Sequence, residues 1–182
     1  MSRLRTFDEA DIRRQRLNHA ISDRYGRTWH PYLNEFVVKL AKEIEPDEAG
    51  SVTLLDYGCG KGGFIEAMAK LGVFGAIAGY DPAVAAYAAL PDRRYDIVTC
   101  LDVLDQVGKK FQTRVLDHIA QHSAHTAVFA CLTKPPAASG LKAHDADYWS
   151  NLVGQRMRVV TTSLALVGIE GYERAVIAAR PN

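Results

Sequence analysis

The side chain with the clearest chemical task in this sequence is Asp56, two places before the first of three alternating glycines, Gly58, Gly60 and Gly62. Glycines at that spacing let a turn bring its backbone N–H groups close to a ligand, because no Cβ stands in the way. The turn follows the apolar run Val52 to Leu55 and leads into a helical stretch, Phe64 to Leu71, so a helix N-terminus faces the same ligand. Gly58, Gly60 and Gly63 also satisfy the G-x-G-x-x-G pattern of dinucleotide sites. A P-loop is excluded, since Lys61 is followed by Gly62 rather than Ser or Thr. Asp56 separates the remaining readings. A carboxylate beside the turn attracts a ligand carrying an ammonium group and repels a pyrophosphate.

A second acid, Asp81, closes Ala76–Tyr80, which reads as a short buried strand. A carboxylate at that strand's tip can accept hydrogen bonds from both hydroxyls of a ribose. It can equally N-cap a helix over Ala83–Leu90 with Pro82 at the first helical position, and the two roles are compatible. A third feature runs from Tyr95 to Val107, where a β-branched run reaches a strand end at Cys100–Leu101 and passes into a turn of helix.

Asp56-Tyr57-Gly58-Cys59-Gly60-Lys61-Gly62 after a strand resembles the first motif of class I S-adenosylmethionine (SAM)-dependent methyltransferases. In that family the turn holds the methionine part of the cofactor. The resemblance implies that Asp56, Tyr57, Gly58, Cys59, Gly60 and Gly62 bind SAM, with Asp81 and Pro82 at its ribose. Tyr95-Asp96-Ile97-Val98 is similar to the family's fourth-strand motif, which implies that Leu101 and Asp102 lie near the sulfonium. Many relatives end this segment in Glu-His where this chain has Asp105-Gln106, a departure that removes a histidine base. Two other readings remain beside the methyltransferase: an NAD-binding oxidoreductase, and a non-catalytic SAM-binding or scaffold domain.

The elements that must position these residues alternate β and α behind a helical lead-in, as a doubly wound, mostly parallel sheet requires. Thr6 with Glu9 matches a capping box for a first helix over Phe7 to about Ser22, whose arginine-rich face reads as solvated surface. Pro31 opens a second helix with Leu33, Phe36, Val37, Leu40 and Ile44 in one apolar stripe. Strands are expected at Val52–Asp56, Ala76–Tyr80, Tyr95–Cys100 and Thr126–Leu132, and helices at Gly62–Leu71, Lys109–His122 and Asp145–Gly154. Two closing strands, Met157–Leu166 and Glu173–Ala179, have no helix between them and read as an antiparallel hairpin at one edge. That ending resembles the methyltransferase sheet, order 3-2-1-4-5-7-6. Between Asp81 and Asp96 there is room for one helix only, so the third strand, an edge strand, is missing and its adenine contact does not transfer. Residues 1–48 are expected as a helical extension or lid and 49–182 as the SAM-binding domain.

The acceptor side is expected beyond the carboxyl ends of the strands, in the segment Lys134 to Trp149 after strand five. The resemblance places His144, Tyr148 and Trp149 in a substrate pocket, with His144 as the weak candidate for a base. The alternative has Asp145 as an N-cap and Trp149 as core. Tyr25, Trp29 and Tyr32 are lid or core residues. No Asn/Asp-Pro-Pro-Tyr/Phe follows strand four, which argues against amino-methylation of DNA bases.

At 182 residues and 48% hydrophobic, the chain can bury a core without disulfides or metals. A net charge of +1 offers no broad basic field for nucleic acid. Cys59, Cys100 and Cys131 lack the spacing of a disulfide framework or zinc site, which with the absence of a membrane-length apolar run points to a cytosolic home. The partner expected is a small-molecule or sugar-containing acceptor, and nothing in the residues specifies an oligomeric state.

Overall fold

A computed structural model describes residues 6–27, 31–46, 50–134, 143–166 and 172–182. Trp29 and residues 135–142, which include Pro135, Pro136 and Gly140, lie outside these described residues. The sheet is built from β1 (Thr53–Tyr57), β2 (Ala76–Tyr80), β3 (Tyr95–Leu101), β4 (Ser123–Lys134), β5 (Met157–Leu166) and β6 (Glu173–Pro181), in the order β2-β1-β3-β4-β6-β5. The first four run parallel and β6 inserts antiparallel between β4 and β5. This is the methyltransferase order with its third strand absent.

Among the described residues five α-helices accompany the sheet: α1 (Glu9–Ile21), α2 (Pro31–Ile44), α3 (Gly63–Leu71), α4 (Lys109–His122) and α5 (Ala146–Gly154). Alternation along the strands splits the core between the two sheet faces. Leu55 and Tyr57 of β1 join α4 (Val115, Leu116, Ile119) and α5 (Trp149, Val153). Leu54 faces the other way, against α2 (Leu33, Val37, Ala41) and α3 (Phe64, Met68). The α2 stripe read from the sequence is thus core. Each fully buried Leu or Val there stabilises by about 1.5–3 kcal/mol.

α1 is different, because it buries no residue. Its N-cap is Asp8, whose carboxylate accepts from the Ala10 N–H at 3.0 Å, and not Thr6 as the capping box proposed. The helix expected over Ala83–Leu90 is also absent; the chain makes only a 3-10 turn, Ala85–Tyr87. The Asp81 N–H donates to the Tyr87 carbonyl at 2.9 Å, closing the segment into a compact loop where alanine propensity favours a helix.

Candidate functional site

At the carboxyl ends of β1, β2 and β3, Asp56, Gly58, Cys59, Gly60, Asp81, Pro82, Leu101 and Asp102 border one cavity of about 200 Å³. Sequence reasoning drew these residues from three separate segments, and the sheet brings them together. Asp56 is 3% exposed and takes a hydrogen bond from the Thr99 hydroxyl at 2.8 Å. Burial pushes its carboxyl up to about 7; the Thr99 bond opposes this and the nearby Asp81 charge adds to it. Asp81 Oδ2 accepts from the Gly60 N–H at 3.0 Å and Oδ1 from the Ala83 N–H at 2.8 Å, so it ties the glycine turn to the segment after β2.

The glycine turn borders the cavity and makes its own hydrogen bonds within the chain. Its N–H groups are engaged within the chain: Gly58 and Cys59 donate to the Tyr80 carbonyl, Gly60 to Asp81, Lys61 to the Gly26 carbonyl and Gly62 to the Cys59 carbonyl. What Gly58 and Gly60 provide is closeness. Both have positive φ, 84° and 54°. A Cβ on Gly58 would stand 2.2 Å from a Val103 methyl, and one on Gly60 2.6 Å from the Gly26 carbonyl oxygen. The turn is therefore packed under Val103 on one side and under the backbone of residue 26 on the other.

Two of the expected cofactor residues do not face the cavity. Tyr57 follows Asp56 on the strand and so points to the opposite sheet face, where it is fully buried and its hydroxyl lies 2.8 Å from His118 Nδ1. Gly62 sits at the N-terminus of α3 at φ 83°, directed at the Tyr87 hydroxyl. On the acceptor side, the expectation for Trp149 is corrected. It is 1% exposed in the core, its indole N–H donating to the Leu132 carbonyl at 3.1 Å. His144 stacks on Tyr148 with ring centroids 3.7 Å apart, and the Tyr148 hydroxyl donates to Gln112 Oε1 at 3.3 Å. Neither ring borders the cavity; they form their own stack at the start of α5, which Asp145 N-caps through the Tyr148 N–H.

Sequence reasoning expected a helical extension or lid over residues 1–48 but did not name the residues by which α1 lines the cavity. Asp11, Gln15 and His19, four residues apart and hence on one helical face, line the cavity together with Phe7, Tyr25 and Gly26. The only signal was that same spacing, and in a helix without an apolar stripe it reads as solvated surface. Arg174 of β6 was missed as well. Its guanidinium grips Asp102 with two bonds, Nε to Oδ1 at 2.5 Å and Nη2 to Oδ2 at 2.9 Å. The clamp holds Asp102 at φ 57°, a strained conformation for a residue with a side chain, at the cavity wall.

Residues 22–166 match the family model described as a methyltransferase domain. No curated protein matches the chain. Among solved structures, the chain resembles the 1,6-didemethyltoxoflavin-N1-methyltransferase of Burkholderia thailandensis, which carries 1,6-didemethyltoxoflavin and S-adenosylhomocysteine (SAH). The TM-score is 0.66 at 13% identity, over 100% of this chain and 93% of that one. The N-methyltransferase NodS of Bradyrhizobium japonicum WM9, in complex with SAH, aligns at TM-score 0.63 and 13% identity, over 97% and 98% of the two chains. Magnesium protoporphyrin IX methyltransferase of Synechocystis PCC 6803, with bound SAM, aligns at TM-score 0.56 and 20% identity, over 82% and 78%. At these identities the likeness is one of fold, whereas the family match spans most of the chain. With strand order, cavity and motif in agreement, the chain belongs to the methyltransferase-domain family as a class I SAM-dependent methyltransferase.

Proposed function

We propose that this protein transfers the methyl group of SAM to a small-molecule or sugar-containing acceptor at the cavity between α1 and the carboxyl ends of β1–β3. The observation that carries the reading is Asp56, a buried acid raised to about 7 on the wall of that cavity. A cation beside it would relieve this, and the amino-acid end of SAM brings an ammonium group. The fit extends to Asp81, each of whose carboxylate oxygens has a second lone pair for a ribose hydroxyl beyond the bond it already accepts. Gly58, Cys59 and Gly60 form the floor, and Pro82, Leu101 and Asp102 flank it.

When bound, SAM supplies an electrophilic methyl group whose bond to sulfur breaks as the acceptor's lone pair attacks in line. The chain's own part is positioning and exclusion of water, which can contribute on the order of 7–11 kcal/mol. The Arg174 clamp holds Asp102 still, and α1 closes the space from outside. No base is assigned: His144 lies outside the cavity wall, and Gln106 stands where a histidine base is expected. His19 on the cavity face of α1, with its Nδ1 not engaged by another side chain, supports an acceptor able to form hydrogen bonds. The toxoflavin enzyme, which aligns over the whole chain, holds such a small molecule. Cys59, Cys100 and Cys131 are free thiols, and no described helix is long and apolar enough to cross a membrane; we infer a cytosolic setting.

Incubation of the protein with methyl-tritiated SAM and a fractionated lysate of its source cells tests the reading. Label is expected in the metabolite fraction. Label in protein or nucleic acid would overturn the acceptor class, and SAH binding without any labelled product would favour the scaffold alternative.

A further inference from the structure

α1 poses a mechanical question. It buries no residue, yet it forms a wall of the cofactor cavity, so something other than apolar packing must hold it in place. Apart from Arg16, whose Nη2 donates to the Pro82 carbonyl at 3.4 Å, the described hydrogen bonds of α1 to the sheet side go to the segment after β3. Gln15 Nε2 donates to Gln106 Oε1 at 2.8 Å, and the Tyr25 hydroxyl lies 2.8 Å from the same oxygen. Arg14 Nη2 donates to the Gln106 carbonyl at 3.1 Å, and Asp11 Oδ2 accepts from the Gly108 N–H at 3.3 Å. On its inner side Gln106 Nε2 donates to the carbonyl of Asp102 at 2.7 Å. One exposed side chain at the cavity rim thus joins the helix, the following loop and the strained residue gripped by Arg174.

We propose that Gln106 is the latch of the cofactor site, a positioning residue whose side chain holds α1 and Tyr25 closed over the cavity and so sets how fast the cofactor leaves. The chemistry of the amide fits the task. Its carbonyl oxygen accepts from Gln15 and shares the single Tyr25 hydroxyl proton with Gln15 Oε1, which lies 2.5 Å from that hydroxyl, while its NH₂ group donates to Asp102 at the same moment. A neutral imidazole has one acceptor and one donor and cannot make all three bonds. The other end of the strap is fixed independently, since Lys61 donates its backbone N–H to the Gly26 carbonyl at 2.7 Å and its ammonium to the Ser22 carbonyl at 2.9 Å. The backbone of residues 22–26 therefore stays with the glycine turn while α1 and the Tyr25 side chain swing, with Gln106 as the release point.

The proposal rests on the cofactor site described above and not on the acceptor, so it is tested with SAH and the full chain. Surface plasmon resonance of SAH on wild type, Gln106→Ala, Gln106→His, Gln15→Ala and Tyr25→Phe separates association from dissociation. We expect the dissociation rate to rise roughly fivefold or more in Gln106→Ala, with association changed less than about threefold. Gln15→Ala and Tyr25→Phe raise it in the same direction and add little in the Gln106→Ala background, because all three break one network. Gln106→His does not restore the wild-type rate. Hydrogen exchange of residues 9–21 in the SAH complex accelerates in Gln106→Ala while that of α4 does not, a split that general destabilisation cannot produce. Dissociation rates within about twofold of wild type in all four variants overturn the latch alone. An independent, additive effect of Tyr25→Phe overturns it as well, and failure of the wild type to bind SAH overturns both the latch and the cofactor site.

Discussion

The ionisation of Asp56 offers the sharpest quantitative test of the cofactor site. In the ligand-free protein its carboxyl is pushed up to about 7 from an ordinary value of 3.8, chiefly by burial. The gap of roughly three pH units corresponds to roughly 4 kcal/mol between the protonated and ionised forms. The sign follows from where the proton sits. Between about pH 4 and 7 the folded protein holds a proton that the unfolded chain has lost, so this group makes stability fall as pH rises through that window and level off above it. A ligand whose cation pairs with the ionised acid must first displace the proton. SAH affinity is therefore expected to be flat above about pH 7 and to fall by about tenfold per pH unit below it. Calorimetry in two buffers of different ionisation enthalpy reads the linked proton directly, with nearly one released per SAH at about pH 6 and about a tenth at about pH 8. Asp56→Asn should abolish both the release and the slope and bind more weakly at about pH 8. Equal wild-type affinity at about pH 6 and about pH 8, or a wild-type slope persisting in the Asn variant, would refute the pairing of this acid with the ligand's cation.

Asp81→Ala is expected to weaken SAM binding by about 1.5–3 kcal/mol in calorimetry, through loss of hydrogen bonds to a charged group; unchanged affinity would remove Asp81 from the ribose. Trp149→Ala should destabilise the fold by about 3–5 kcal/mol in denaturant titration, as removal of a core indole does. A change below about 1 kcal/mol would place that side chain back at an exposed pocket.

What could be read from the residues divides along physical lines. β1, the glycine turn and α3 were legible because an apolar run, positive-φ glycines and an amphipathic period each allow little else. The strand order came with the family resemblance, and the missing edge strand followed from counting the fifteen or so residues between Asp81 and Asp96, too few for a further helix–strand–helix unit. Ala83–Leu90 failed because local propensity ruled the reading, whereas the Asp81–Tyr87 backbone bond is a tertiary requirement. Tyr57 should have been excluded on alternation alone, since a neighbour of Asp56 on a strand must face away from it. The cavity face of α1 was illegible for a deeper reason. A helix turned toward a polar ligand and one turned toward water carry the same residues, and only the partners of Gln15 and Tyr25 tell them apart.

The place of β6 has a consequence for how the molecule is assembled. β5 has no neighbour in the sheet except β6, and β6 must slot against the outer side of β4, a strand separated from it in sequence by some forty residues. Until β6 pairs with it, a twelve-residue ribbon with the apolar run Ala127 to Leu132 presents its backbone unguarded to any other chain. Crowded, slow or interrupted synthesis would thus expose one sticky border, and the ageing and clumping of this protein should begin there.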